Sequence, residues 1–202
     1  MNAQDILNSE DFKKCADFHG HICPGLSTGF RAASAGMAWL KANRSEDEEI
    51  VAIVETDACS ADAVQVLTGC TFGKGNFIYK DYGKMALTLM SRKSGRGVRV
   101  IVRNGAFQPD EEHMALIQKM IREELTDEER NRFETLHFRR SCQILEMPED
   151  QLFDIRAVDM ELPRKAEIKP SVACDRCGES TMSSKLVEKD GQKVCRGCLE
   201  GV

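Results

Sequence analysis

The order of apolar patterns along the chain predicts a domain that mixes helices and strands, of the α+β or α/β class, followed by a small cysteine-rich unit. Three observations carry this reading. Helical patterns come before, between and after the strand patterns, which excludes an all-α or all-β domain. The run Ile50-Val-Ala-Ile-Val54 is continuous, apolar and of strand length, as in a central strand. The last 32 residues hold four cysteines and few large apolar side chains, too little to build a core by apolar burial alone.

Taken in order, the chain opens with a helix expected around 4–17. The stretch Phe18-His-Gly-His-Ile-Cys-Pro-Gly25 follows, then a helix at about 25–42. There Leu26, Phe30, Ala33, Met37 and Leu40 step by four and three and make one buried stripe. Ile50–Thr56 reads as the central strand and 60–68 as a short helix. Phe77–Tyr82, Met85–Met90 and Val98–Arg103 read as three strands, the first two joined by a turn at Gly83. Two helices are expected at about 109–124 and 127–146, the second opened by Thr126-Asp-Glu-Glu129 at capping-box spacing. Phe153–Val158 alternates and reads as a last, half-exposed strand. Glu161–Pro170 carries two prolines among charged residues and reads as a linker. The domains are therefore expected at 1–163 and 170–202.

Composition narrows the function classes. Nine cysteines in 202 residues is an odd and high count, so complete intramolecular pairing is excluded. The N-terminus has no basic region followed by an apolar run, and no stretch approaches the ~20 apolar residues of a membrane span. The expectation is a cytoplasmic protein with reduced thiols and no membrane partner, and such thiols point to metal or redox chemistry. Residues 1–163 carry 20 basic and 27 acidic side chains, and 164–202 carry 8 and 6. An acidic main body argues against nucleic acid as the main partner.

Cys174-x2-Cys177 and Cys195-x2-Cys198 have the spacing of a tetrahedral thiolate zinc site, since a two-residue spacer turns both sulfurs of a knuckle toward one ion. Between them Lys185–Val194 reads as a hairpin with Asp190-Gly191 as its turn. The competing readings are two disulfides or a redox dithiol pair. The unit is read as a stabilising or partner-docking module. Lys185, Lys189, Lys193 and Arg196 make a modest basic face, but no aromatic residue lies between 170 and 202 to stack on a base.

His19, His21 and Cys23 fall within five residues, although the chain has only four histidines. Alternate residues of an extended segment point the same way, so two imidazoles and a thiol can converge. Pro24 fits a first helical position, which places Cys23 as the cap at the positive end of the following helix and would lower its pKa. A thiolate with imidazoles suits zinc or iron. Downstream, Glu55-Thr-Asp-Ala-Cys59-Ser-Ala-Asp62 follows the central strand, where sheet proteins often place sites. Cys59 is expected to complete a metal sphere or to act as a second redox thiol.

Thr68–Asn76 resembles a phosphate loop but fails the pattern. Three residues, not four, separate Gly69 from Gly73, and Gly75 follows Lys74 where Ser or Thr is required. Cys70 is open between site wall and packing. Cys15 and Cys142 are read as core, and His113 and His137 as packing or solvated residues of the late helices.

The run Phe18–Gly25, with Cys59-Ser-Ala-Asp-Ala-Val-Gln65, Thr68–Asn76 and Asp81-Tyr-Gly-Lys84, resembles the FmdE family, the E-type subunits of formylmethanofuran dehydrogenase. The resemblance implies an α+β core, with a mixed β-sheet flanked by helices and loosely thioredoxin-like, and a C-terminal treble-clef zinc finger. It implies a metal or redox site at His19, His21, Cys23 and Cys59. It further implies an accessory role beside the subunits of a molybdenum or tungsten enzyme in anaerobes. The thiol-oxidoreductase and ribbon-interaction readings stand as alternatives. The apolar residues of the late helices add the expectation of a homodimer.

Overall fold

The apolar run Ile50–Val54 forms β1, buried along its whole length, second in a five-stranded sheet. In the computed structural model, which describes residues 2–106, 108 and 110–201, β2 (Phe77–Tyr79) pairs parallel with β1. On the other side β3 (Ala86–Ser91), β4 (Gly97–Val102) and β5 (Phe153–Val158) continue antiparallel, giving the order β2-β1-β3-β4-β5. The sheet is therefore mixed, and the class is α+β.

Helices α1 (Ala3–Asn8), α2 (Glu10–His19), α3 (Pro24–Leu40), α4 (Ser60–Thr68), α5 (Glu111–Arg122), α6 (Asp127–Glu146) and α7 (Glu149–Leu152) complete this part of the chain. The core lies where α3, α4 and α6 meet the sheet, around Ala33, Val64, Leu89, Val98, Val100 and Ile144. The other sheet face carries a smaller cluster of Val51, Ile53 and Met90, against which Leu162 packs. Leu162 falls in the expected linker, yet it belongs to the first of two compact units, Met1–Lys165 and Ala166–Val202.

The α3 sequence brings its neighbours unusually close. A Cβ on Gly29 would stand 2.2 Å from the Ser60 carbonyl oxygen, and one on Gly25 would stand 2.9 Å from the Cys59 Cβ. Only glycine lets α4 approach at these positions, and that approach carries Cys59 toward Cys23.

Two expectations are revised. The single helix at 4–17 is two helices, because Ser9 is extended and its Oγ accepts from the Phe12 amide as the cap of α2. The turn at Gly83 exists, at φ +63°, but β2 and β3 are not a hairpin. The connecting segment passes around the end of β1, with Lys80 N–H bonding Val54 O and Lys84 N–H bonding Glu55 O. The expected capping box at Thr126 and Glu129 is formed.

The second unit holds β6 (Ser171–Ala173), β7 (Ser180–Met182), a 3-10 turn at Ser183–Lys185, β8 (Val187–Lys189), β9 (Gln192–Val194) and α8 (Arg196–Glu200). Knuckle, hairpin and helix follow in treble-clef order. Asp190 and Gly191 both have positive φ, at 53° and 76°, as a tight hairpin turn between β8 and β9 requires.

Candidate metal centres

The core cluster is built at the junction of α2, α3 and α4. His19 is the last residue of α2, and Gly20 reverses the chain in the left-handed region at φ 94°. The segment is therefore not simply extended, yet the reversal still brings the His21 ring to 4.5 Å from the His19 ring. Cys23 caps α3, with its Sγ accepting from the Leu26 amide at 3.2 Å. One donor atom from each of His19, His21 and Cys23 lies within 4.8 Å of the others. His21 is exposed and Cys23 is buried, so the cluster opens to solvent on one side.

The donor set suits a metal in chemistry and spacing. His19 Nε2 stands 3.7 Å from Cys23 Sγ. A tetrahedral zinc with nitrogen at ~2.1 Å and sulfur at ~2.3 Å separates such donors by roughly 3.6 Å. Cys59 lies against Cys23 from α4: the Cβ that Gly25 lacks would stand 3.6 Å from one sulfur and 3.8 Å from the other. Cys59 Sγ is outside the three-residue set.

Sequence reasoning passes over Asp62. It sits in the first turn of α4, three residues beyond Cys59, and its Oδ2 is 2.7 Å from His19 Nδ1. A carboxylate there fixes the imidazole so that Nε2 faces the thiol. The i+3 spacing from Cys59 is the available signal. The expected low pKa of Cys23 is reversed: burial pushes the thiol up to about 11, against the Leu26 amide, and the nearby Cys59 adds to the rise. Desolvation outweighs the helix end in the metal-free chain.

The other candidates fall outside this cluster. Cys70 is fully buried in the main core and donates to Ile50 O at 3.3 Å, which makes it packing. The Thr68–Asn76 stretch clamps the 44–50 loop. Asn76 Nδ2 donates to Asp47 O and Ile50 O, and Lys74 Nζ to Glu46 O. Cys15 is buried and Cys142 half-buried. His113 Nε2 meets His137 Nδ1 at 3.2 Å, with Phe133 stacked on His137, and the pair packs α5 on α6. Burial lowers the pKa of both.

In the second unit Cys174, Cys177, Cys195 and Cys198 bring their sulfurs within 4.8 Å of one another. The Cys177 and Cys195 sulfurs are 3.9 Å apart, against roughly 3.8 Å for two thiolates on a tetrahedral zinc. Amides of Cys177, Cys195 and Arg176 lower the Cys174 pKa to about 6, while hydrogen bonding to Cys195 and Cys177 pushes Cys198 up to about 12. Four sulfurs this close cannot all ionise unless a cation sits among them.

Fold and clusters together define an α+β protein with a His-His-Cys cluster at the helix junction and a separate four-cysteine unit. Residues 18–154 match the family model described as "FmdE, Molybdenum formylmethanofuran dehydrogenase operon", and the chain belongs to the FmdE family. It is 37% identical over 192 residues to a probable S-adenosyl-L-methionine-binding protein of Archaeoglobus fulgidus, a match that covers 92% of this chain. The chain spans about half the length of that relative, 51%. Its fold is similar to the crystal structure of an FmdE-like protein of the tungsten formylmethanofuran dehydrogenase type from Syntrophus aciditrophicus. The TM-score is 0.63 at 24% identity, over 98% of this chain and 92% of the other.

Proposed function

We propose that this protein is a metal-binding accessory member of the FmdE family, acting beside a molybdenum or tungsten enzyme of the formylmethanofuran dehydrogenase type. The observation that carries the reading is the convergence of His19, His21 and Cys23 within 4.8 Å, with His19 held by Asp62. Two imidazoles and a thiolate would hold zinc or iron and leave a coordination position open. A metal there would supply Lewis acidity toward a small ligand. The chain's own residues orient the donors: Asp62 fixes His19, Leu26 N–H steadies Cys23, and exposed His21 faces solvent. The four-cysteine unit would hold a structural zinc.

The reading includes a cytoplasmic location and a homodimer. Among the described residues no helix is long and apolar enough to cross a membrane. Light scattering tests the dimer, and co-purification with the molybdenum or tungsten enzyme tests the partnership.

Metal analysis after anaerobic purification decides the core reading. Two metals per chain are expected, falling to one in Cys23→Ser. One metal in both would sink it. The name of the Archaeoglobus relative supports a second reading, S-adenosyl-L-methionine binding by the region the two chains share. Equilibrium dialysis with that ligand tests it, and binding unchanged by Cys23→Ser would separate it from the metal cluster.

A further inference from the structure

We propose that Cys23 and Cys59 form a redox couple, whose oxidation to a disulfide removes the thiolate from the His19–His21–Cys23 cluster and releases its metal. The inference rests on the reading of that cluster as a metal site. Its geometric basis is the space over Gly25. Both sulfurs border the position where a Cβ would stand, at 3.6 Å for Cys59 and 3.8 Å for Cys23. Glycine keeps that space clear, so nothing of α3 separates the thiols.

The two thiols are unequal in a way that assigns their order of reaction. Cys23 is 3% exposed, whereas Cys59 is only half-buried and makes no cap hydrogen bond to α4. Cys59 also lies outside the three donors that converge on one point. It is therefore a thiol beside the site, free to react without dismantling it first. The oxidant fitting an accessible single thiol is a hydroperoxide. Cys59 attacks the O–O bond, takes one oxygen as a sulfenic acid, and water or an alcohol leaves. Cys23 then attacks the Cys59 sulfur, the S–S bond forms, and the hydroxyl leaves as water. In total two sulfurs lose two electrons and the peroxide gains them. A disulfide sulfur is a poor metal ligand, so His19 and His21 alone retain the ion weakly. Reduction by a dithiol restores both thiols.

Cys15 shares the apolar cluster of Cys23 and Cys59 and is the competing partner. The test uses the full chain, loaded anaerobically with zinc and titrated with hydrogen peroxide. Released zinc is followed with a chromogenic chelator, and disulfides are mapped by peptide mass. Expected are a Cys23–Cys59 bridge at the first equivalent, with core zinc released in step, and recovery with dithiothreitol. Peptide mapping reports the finger cysteines separately. Cys59→Ser is expected to load the same zinc and release the core ion at least ten-fold more slowly. The proposal is overturned if Cys59→Ser fails to load core zinc, which would make Cys59 a ligand. It is equally overturned if the variant releases as fast as the parent, or if the bridge maps to Cys15. A chain that loads zinc only in the finger yet forms the Cys23–Cys59 bridge would fail the metal reading and leave the couple standing.

Discussion

Asp62 and His19 meet across 43 residues of sequence, Oδ2 to Nδ1 at 2.7 Å, and this contact decides which imidazole nitrogen faces the Cys23 thiol. A carboxylate on one ring nitrogen fixes the tautomer and makes the other nitrogen a better ligand. Asp62→Asn keeps the shape and removes the charge. The expected result is a loss of core metal affinity of roughly 10–100-fold. Competition against a calibrated chelator measures it, with circular dichroism unchanged. Unaltered affinity would show that Asp62 only packs.

Gly29→Ala tests the approach of α3 to α4. The added Cβ would stand 2.2 Å from the Ser60 carbonyl oxygen, which is backbone and cannot step aside. Overpacking of this kind costs about 1–3 kcal/mol, occasionally more. Urea denaturation should show that loss. Because Ser60 follows Cys59, core metal affinity should fall with it. Gly73→Ala, where a Cβ meets nothing within 4 Å, is the control and should change neither.

What can be read in the sequence follows from which interactions are local. The β1 run, the α3 stripe, the Thr126 capping box, the Asp190-Gly191 turn and both cysteine clusters are legible, because each depends on neighbours a few residues away. The split at Ser9 is hidden because its cap is one hydroxyl within a pattern that otherwise continues. The placement of β3 beyond β1 is hidden because Gly83 looks the same in a hairpin and in a segment rounding a strand end. Asp62 does not stand out because its partner is 43 residues away. The reversed pKa of Cys23 depends on burial by α2 and α4, which the cap position alone does not reveal.

Arg99 holds Glu55 in a bidentate pair at 2.7 and 2.8 Å, reaching from β4 across β3 to the end of β1. The pair is largely buried, with side-chain exposure of 13% for Arg99 and 8% for Glu55. The guanidinium holds the Glu55 carboxyl below its usual range despite burial. A carboxyl depressed in the folded state adds stability that is present above its unfolded pKa, about 4.3, and lost as pH falls through the folded value. Arg99→Met leaves an unpaired buried carboxylate and should cost about 3 kcal/mol at neutral pH. The gap between parent and variant should narrow as pH falls below about 4. Urea unfolding at stepped pH checks it, and a gap that stays constant would mean the pair does not titrate with folding.

The four-cysteine unit should depend on metal for its fold, and the first unit should not. From Ala166 onward the buried residues among those described are Cys174 and Val194, and one of these is a candidate ligand. So little apolar burial cannot offset the ordering of some thirty residues, at about 1–2 kcal/mol each for the backbone alone. Metal binding would supply the difference. A strong chelator at neutral pH is therefore expected to collapse the amide signals of residues 171–200 in a nitrogen-15 correlation spectrum. Signals of β1, β3 and β4 should stay dispersed, because their core is built from Val, Leu and Ile side chains. Cys195→Ala should give the same selective collapse without chelator, since it removes one of four sulfurs and the cap of α8. Retention of dispersed signals from both units after complete metal removal would show that the cysteine unit folds on its own contacts.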